Sequence, residues 1–449
     1  MKHKTRFLGE EKMLPLLLKL SSPAMVGMMV QAAYNLVDTL FVGWGVGVLA
    51  IGGLAIAFPL QMLIMAMAQA IGIGGASIIS RSLGSGDHKQ ADHTLGNMIA
   101  TVVALSLILA TFGIIYLEPL LFLLGSSTDI LPYAFDYMKI IFLGTVVFAF
   151  SITTNNVVRA EGNAKFAMVT MLISAGVNTV LDPIFIFILH MGVKGAAWAT
   201  VISQGSTAAW LTWYFVSGKS SLRIKPRYLR PHMKILKETF AIGISAFTRQ
   251  GSASLMLVVL NHRLGIYGGD MAIAAFGILR RMLLFLIMPI FGMVQGLMPI
   301  VGYNFGARKF CRVKEAMKMS ILSSSILSMI NFVAFFFFPA QLLSLFTKNP
   351  EVIRIGITAS RIIALGLPVD GFQIMASGMY QAVGKALPSF ILSMLRQILL
   401  LIPLVIMLPH LWGLTGIWIA FPIADIGAAI ITVVMFTGEM KHLHRVCDE

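Results

Sequence analysis

Charge is scarce in this 449-residue chain: Asp, Glu, Lys and Arg together make 12% of it, against 57% hydrophobic residues. So few charges cannot clothe a water-soluble domain, which excludes the ordinary globular classes. Acids are rarer than bases, 19 against 34, and the net charge is +15. The bases are dispersed between apolar runs and no compact module carries a basic face, so nucleic acid is not an expected partner. The chain has only two cysteines, Cys311 and Cys447, both in basic segments, and a disulfide framework is not expected. No glycine-rich phosphate-binding loop ends in Lys-Ser/Thr, which argues against ATP hydrolysis. No histidine pair has the spacing of a zinc-binding helix, and no cofactor is expected. Gly72, Gly74 and Gly75 lie in an apolar run and read as helix-packing positions rather than a phosphate cradle. The basic start, Met1 to Lys19, lacks a short apolar core with a small-residue cleavage site, so the first span is expected to be retained.

What the chain does have is apolar runs of helical length, many above the ~20 residues that cross a hydrocarbon core. Cutting at charges, Gly/Pro clusters and polar turns predicts about twelve transmembrane helices: 13–42, 50–80, 93–117, 130–158, 164–190, 194–217, 235–262, 270–302, 315–338, 351–383, 387–411 and 413–437. The fold class expected is therefore an all-α membrane protein. The connection after Ser217 carries Lys219, Arg223, Lys225, Arg227, Arg230, Lys234 and Lys237 without an acid, which places it and both termini in the cytoplasm by the positive-inside rule. Displacing the chain against itself by 222 positions matches Gly84 with Gly306, Gly144 with Gly366 and Gly162 with Gly384. A one-residue gap later, Gly192 and Gly195 match Gly413 and Gly416. This predicts a duplicated chain: a six-helix lobe over 1–217, a basic linker over 218–234, and a second six-helix lobe over 235–449, in parallel orientation.

Several segments carry more than composition. They are Gln31 to Gly43 (QAAYNLVDTLFVG), Arg159 to Lys165 (RAEGNAK), Asn178 to Phe185 (NTVLDPIF), Gly192 to Ala199 (GVKGAAWA), Pro299 to Ala307 (PIVGYNFGA) and Phe421 to Asp425 (FPIAD). In order and separation they resemble the MATE (multidrug and toxic compound extrusion) family along nearly the whole chain. The resemblance implies two six-helix lobes around a cavity, and secondary antiport: cationic or amphipathic organic compounds leave as protons or sodium enter. The other readings are a lipid-linked precursor flippase of the same superfamily, a membrane-embedded enzyme or a channel. A monomer in the cell membrane, in contact with lipid, is expected.

Charges inside a bilayer mark the places where function is sought first. Asp38, Asp182, Arg249, Arg280, Arg281, Asp370, Arg396 and Asp425 fall within predicted spans. Asp38 shares a helical face with Asn35 and Gln31, and Pro23 earlier in the same span predicts a bend. Asp182 lies one turn beyond Asn178, and Thr200, Ser203, Gln204 and Thr207 give the next span a polar face. By the resemblance, Asp38, Asn178, Asp182 and Thr200 match the cation site of the first lobe, with Gln31, Asn35 and Pro23 supporting it. Their oxygens suit either a desolvated carboxyl proton or sodium. In the second half Leu260 faces Asp38 at the repeat offset, and Asp370 faces Phe148. Asp370 is expected either to form a second cation site or to pair with Arg249. Arg396 and Asp425 are expected to pair with each other or with backbone, and Arg280 and Arg281 to be structural charges at the lipid interface or between the lobes.

Overall fold

The computed structural model describes residues 5–448, with residues 36, 39, 40, 43, 48, 442 and 444–448 described for backbone only. Sixteen α-helices follow one another without a strand among the described residues. They are α1 (Met13–Gly45), α2 (Val48–Ser85), α3 (His88–Ile115), α4 (Leu117–Leu123), α5 (Leu131–Leu143), α6 (Thr145–Ala160), α7 (Ala164–Pro183) and α8 (Val193–Val216). Then come α9 (Met233–Gly306), α10 (Phe310–Phe337), α11 (Pro339–Ser344), α12 (Pro350–Ala364), α13 (Leu367–Val383), α14 (Ala386–Met394), α15 (Ile402–Met407) and α16 (Pro409–Asp448).

Eight of these stretches are long and apolar enough to cross a membrane. Two bent pairs, α5 with α6 at 58° and α12 with α13 at 53°, raise the number to ten. Gly269, at φ 64°, breaks α9 into two rods. The 24 residues of α8 reach ~36 Å at 1.5 Å each, enough to span, although its polar face lowers its hydropathy. The described chain is thus an all-α membrane protein of twelve spans in two six-helix lobes. Two of the predicted spans, 130–158 and 351–383, prove to be broken at Gly144 and beside Gly366, positions one repeat apart. Pro23, expected to bend the first span, sits inside an α1 that runs uninterrupted from Met13 to Gly45.

The duplication is written into the backbone. At the 222-residue offset Gly47 (φ 111°) corresponds to Gly269 (φ 64°), and Gly162 (φ 84°) to Gly384 (φ 82°). After the one-residue gap Gly192 (φ 58°) corresponds to Gly413 (φ 55°). Gly86 (φ 79°) corresponds to Arg308 (φ 56°), so the second lobe keeps the left-handed turn even where the glycine has gone. Such turns need a reason to survive on a side chain, and the shared helix ends supply it.

The lobes meet along a seam in the half of the molecule nearest the linker. A Cβ on Gly84 would strike the Tyr303 carbonyl, and one on Gly306 the Arg81 carbonyl, a reciprocal pair at the repeat offset. Gly74 faces the Thr239 carbonyl, and Gly243 the Ala70 carbonyl. Without side chains at these points, α2 and α9 approach backbone to backbone. Polar contacts lock the same seam: Ser77 Oγ donates to Gln381 O at 2.6 Å, and Arg81 pairs with Glu238 at 2.8 Å. The N-terminal segment joins in, where Asn304 Nδ2 donates to Leu8 O at 2.9 Å and Arg312 Nη2 to Glu11 O at 2.6 Å. Cys311 is disulfide-bonded, which corrects the expectation of reduced cysteines; Cys447 lies outside the described side chains.

The linker is docked on the first lobe by three buried polar side chains. Glu161, at the turn after α6, accepts from Ser220 Oγ at 2.7 Å, Ser221 N at 2.6 Å, Tyr214 Oη at 3.0 Å and Leu222 N at 3.2 Å. Asp92 accepts from Arg223 N at 2.8 Å, and Asn97 Oδ1 from His232 N at 2.7 Å. Burial pushes the Glu161 carboxyl up, the four donors hold it down, and the balance leaves it at about 7 against an ordinary 4.5. Between those values the folded chain keeps a proton that the unfolded chain releases, so folding loses stability as pH rises through that window. The melting temperature of the wild type should therefore fall more steeply between pH 5 and pH 8 than that of Glu161→Gln; thermal unfolding followed by tryptophan fluorescence checks this, and parallel curves would refute it. A second expectation concerns the seam. Gly306→Leu overpacks backbone against backbone and should cost about 1–3 kcal/mol, read as a lower melting temperature.

Candidate functional site

Asp182 and Asn178 are completely buried on α7 and Thr200, 4% exposed, faces them from α8. Asn178 Nδ2 donates to Asp182 Oδ1 at 3.4 Å and to Thr200 Oγ1 at 3.5 Å. Asp38 reaches the same point from α1, near enough to Asp182 for the two carboxyl groups to act on one another. The structure thus brings together the four residues singled out in the sequence: Asp38, Asn178, Asp182 and Thr200. Two carboxylates brought this close repel, so a proton or a cation held between them stabilises the pair.

Two tyrosines and a glutamine complete the cluster, and sequence reading missed them. Tyr137 of α5 lies beside Thr200 and receives a bond from Gln61 Nε2 at 3.5 Å. Tyr34 lies one turn before Asp38 and is close enough to feel its charge, so its position was a readable signal. Gln61 and Tyr137 come from spans with no spacing relation to Asp38, and nothing local marked them. Gln31 is half-buried and Asn35 exposed, so the stripe above Asp38 opens outward from the cluster rather than packing into it.

Three oxygens in the cluster, Asp38 Oδ1, Asp182 Oδ2 and Asn178 Oδ1, are buried without a hydrogen-bond partner. Unpartnered buried acceptors are costly, and a hard cation or a proton satisfies them. A sodium ion would find carboxylate, amide and hydroxyl oxygens here, and a proton a carboxyl pair.

The second lobe is built differently. Asp370 on α13 is 4% exposed and Asp425 on α16 1% exposed. Arg396, in a π-helical stretch over Leu395–Leu401, lies 3.6 Å from Asp370 and hydrogen-bonds Asp425. The extra residue per turn of that stretch is the kind of local irregularity that re-aims a side chain. Asp370 therefore pairs with Arg396 and not with Arg249, whose pairing was one of the two roles expected for it. Arg249 instead lies over the Phe291 ring, 6.0 Å from its centroid. The expected pairing of Arg396 with Asp425 is present. Arg280 is half-buried and Arg281 exposed. No group of three or more His, Cys, Asp or Glu able to hold a metal occurs among the described residues.

Removing Arg396 would leave two buried carboxyls against one another. Arg396→Ala should cost about 3–5 kcal/mol, as breaking a buried ion pair does. Adding Asp425→Asn to it should recover part of the loss, measured as melting temperature in detergent; equal melting of the wild type and Arg396→Ala would show that the arginine does not hold the two acids.

A two-lobed helical membrane protein with a carboxyl pair buried inside one lobe defines a class of transporters rather than of enzymes. The MatE family model matches residues 23–184 and 249–407, and the chain belongs to that family. It is 29% identical over 427 residues to the multidrug export protein MepA of Staphylococcus haemolyticus (strain JCSC1435), covering 95% of this chain and 94% of that one. It also resembles the solved outward-facing conformation of a multidrug resistance MATE family transporter of the MOP superfamily. The TM-score there is 0.93 and the identity 28%, over 98% of both chains. A solved chain described as protein A is 42% identical, with TM-score 0.92 and full coverage of both chains.

Proposed function

We propose that this chain is a secondary antiporter that exports amphipathic organic compounds, cationic ones among them, in exchange for protons or sodium. The observation that carries this reading is the neighbouring carboxyl pair Asp38 and Asp182, joined to Asn178 and Thr200, with unpartnered buried oxygens inside the first lobe. The likeness to multidrug export proteins supports the choice of cargo.

The pair spans α1 and α7, so its protonation state bears directly on how α1 packs. With one proton the two carboxyls attract; without it they repel unless sodium takes the proton's place. Entry of the ion on one side and its release on the other thus biases the packing of the lobe that carries the pair. An ion shifts such an equilibrium only through its different affinity for the two arrangements, which here is the difference between a closed and an opened Asp38–Asp182 contact. The basic linker, read as cytoplasmic, lies on the same side as the glycine seam and its polar locks. In that orientation the lobes are closed toward the cytoplasm and both termini lie inside, in the cell membrane. Asp370, tied to Arg396 and Asp425, serves in this reading as a structural charge of the second lobe.

The test is ethidium flux in proteoliposomes, with proton and sodium gradients imposed separately. One gradient should drive uptake against the dye gradient. Loss of a charge-assisted contact of ~1.5–3 kcal/mol should slow Asp38→Asn and Asp182→Asn by roughly tenfold to a hundredfold. Wild-type rates in both variants would contradict the assignment.

A further inference from the structure

The four intramembrane carboxyl groups of the two clusters described above each have a neighbour: Asp38 lies by Asp182, and Asp370 and Asp425 by Arg396. The arginines are not balanced in the same way. Arg159, 7% exposed at the end of α6, reaches across the seam to hydrogen-bond Gln295 Oε1 and also bonds Asn156 Oδ1 at 3.2 Å. Among the described residues it has no carboxylate partner. Arg249, half-buried on α9, has neither an ion pair nor a hydrogen bond among the described residues and only the Phe291 ring beneath it.

Phe291 and Gln295 are four residues apart on the second rod of α9, so they lie one turn apart on the same face. That face therefore collects both guanidinium groups. Beside Arg159 lies a small cavity of about 30 Å³ lined from both lobes, with Ser77, Ser80, Asn156 and Gln295 as its polar walls, room for an acidic head group rather than a whole amphiphile. The surroundings are otherwise soft and apolar: Gln295 Nε2 lies 3.2 Å from the Met28 sulfur, and Gln250, next to Arg249, contacts the Met62 sulfur. Two cations held in low-polarity surroundings by neutral amides and a ring carry uncompensated charge. A planar acid is the group that relieves it, since guanidinium offers paired donors matched to carboxylate, sulfonate or phosphate oxygens. Methionine and phenylalanine around it would take an apolar body of variable shape.

We infer that the interlobe face at Phe291 and Gln295 is an acid-recognising subsite, which takes amphiphiles whose carboxylate, sulfonate or phosphate docks on Arg159 and Arg249. As a cargo subsite, this rests on the export reading above. It divides recognition in two: a cationic end is left to the acids of the first lobe, and an acidic end goes to the seam. Zwitterionic amphiphiles then satisfy both.

The experiment uses a matched pair of dyes, rhodamine 110, which has a free carboxylate, and its methyl ester rhodamine 123. Binding to the purified full chain in phosphatidylcholine nanodiscs is read by fluorescence anisotropy. One charge-assisted contact of ~1.5–3 kcal/mol should make the acid bind roughly tenfold or more tighter than the ester. Arg249→Gln should erase most of that preference without changing the affinity for the ester, and Arg249→Lys should keep part of it, because the charge survives and the fork does not. Arg159→Gln should act in the same direction; should that variant fail to fold, Arg249→Gln decides alone. Equal binding of acid and ester, or an undiminished preference in the glutamine variants, overturns the inference. Phosphatidylglycerol added to the discs separates the sources of the acid. Displacement of rhodamine 110 alone assigns the subsite to a lipid headgroup, and no displacement assigns it to a soluble amphiphile; either result upholds an acid-recognising site. Acid preference without gradient-driven flux of either dye upholds the subsite and counts against export. Flux of the ester with no preference for the acid overturns the subsite and leaves export standing.

Discussion

A carboxyl group inside a bilayer has few tolerable states: it can be neutral, paired with a cation, or hydrogen-bonded to another polar group. The first lobe meets this constraint with two neighbouring acids, Asp38 and Asp182, set among an amide and hydroxyls, and the second lobe with two acids that share one arginine. The first arrangement can be changed by a proton or a small cation, because nothing covalent is fixed between the acids. The second cannot be changed so easily, because its cation is part of the chain. From this difference follows the division of labour proposed between the lobes.

That difference stands out because the two lobes share a backbone. Positive-φ turns recur at one offset, the bent pairs recur at nearly the same angle, and the glycine seam is reciprocal between Gly84 and Gly306. The duplication therefore supplies a scaffold in which the ends of the spans are fixed by geometry, while the polar side chains within them have diverged. Leu260, fully buried at the position that matches Asp38, shows the second lobe filling with hydrocarbon the place where the first keeps its acid. Coupling through one lobe needs the other to be a firm partner, and the seam between α2 and α9 provides that contact.

Much of this was readable from the chain. Apolar length and the 222-residue repeat implied the twelve spans, and the one-turn spacing of Asn178 and Asp182 placed those two together. Resemblance to a family, rather than spacing, joined Asp38 and Thr200 to them. What stayed hidden depends on which spans are neighbours and how they rotate. The sequence offered Asp370 a cation site or a pairing with Arg249, and nothing in it pointed to Arg396, which reaches Asp370 from the π-helical stretch at Leu395–Leu401. Gln61 and Tyr137 join the cluster across α2 and α5, a contact that no periodicity encodes. The breaks at Gly144 and beside Gly366 were invisible for another reason: apolar composition runs straight through them.

The central claim is that Asp38 and Asp182 hold one exchangeable proton, or a sodium ion in its place, between them. The most direct measurement is infrared difference spectroscopy of the purified chain in lipid, wild type against the double variant Asp38→Asn/Asp182→Asn, at neutral pH with and without sodium. The account predicts a protonated-carboxyl stretch in the wild type that the double variant lacks, and that weakens when substrate or sodium is added. A carboxyl region identical in the two proteins under every condition would contradict it.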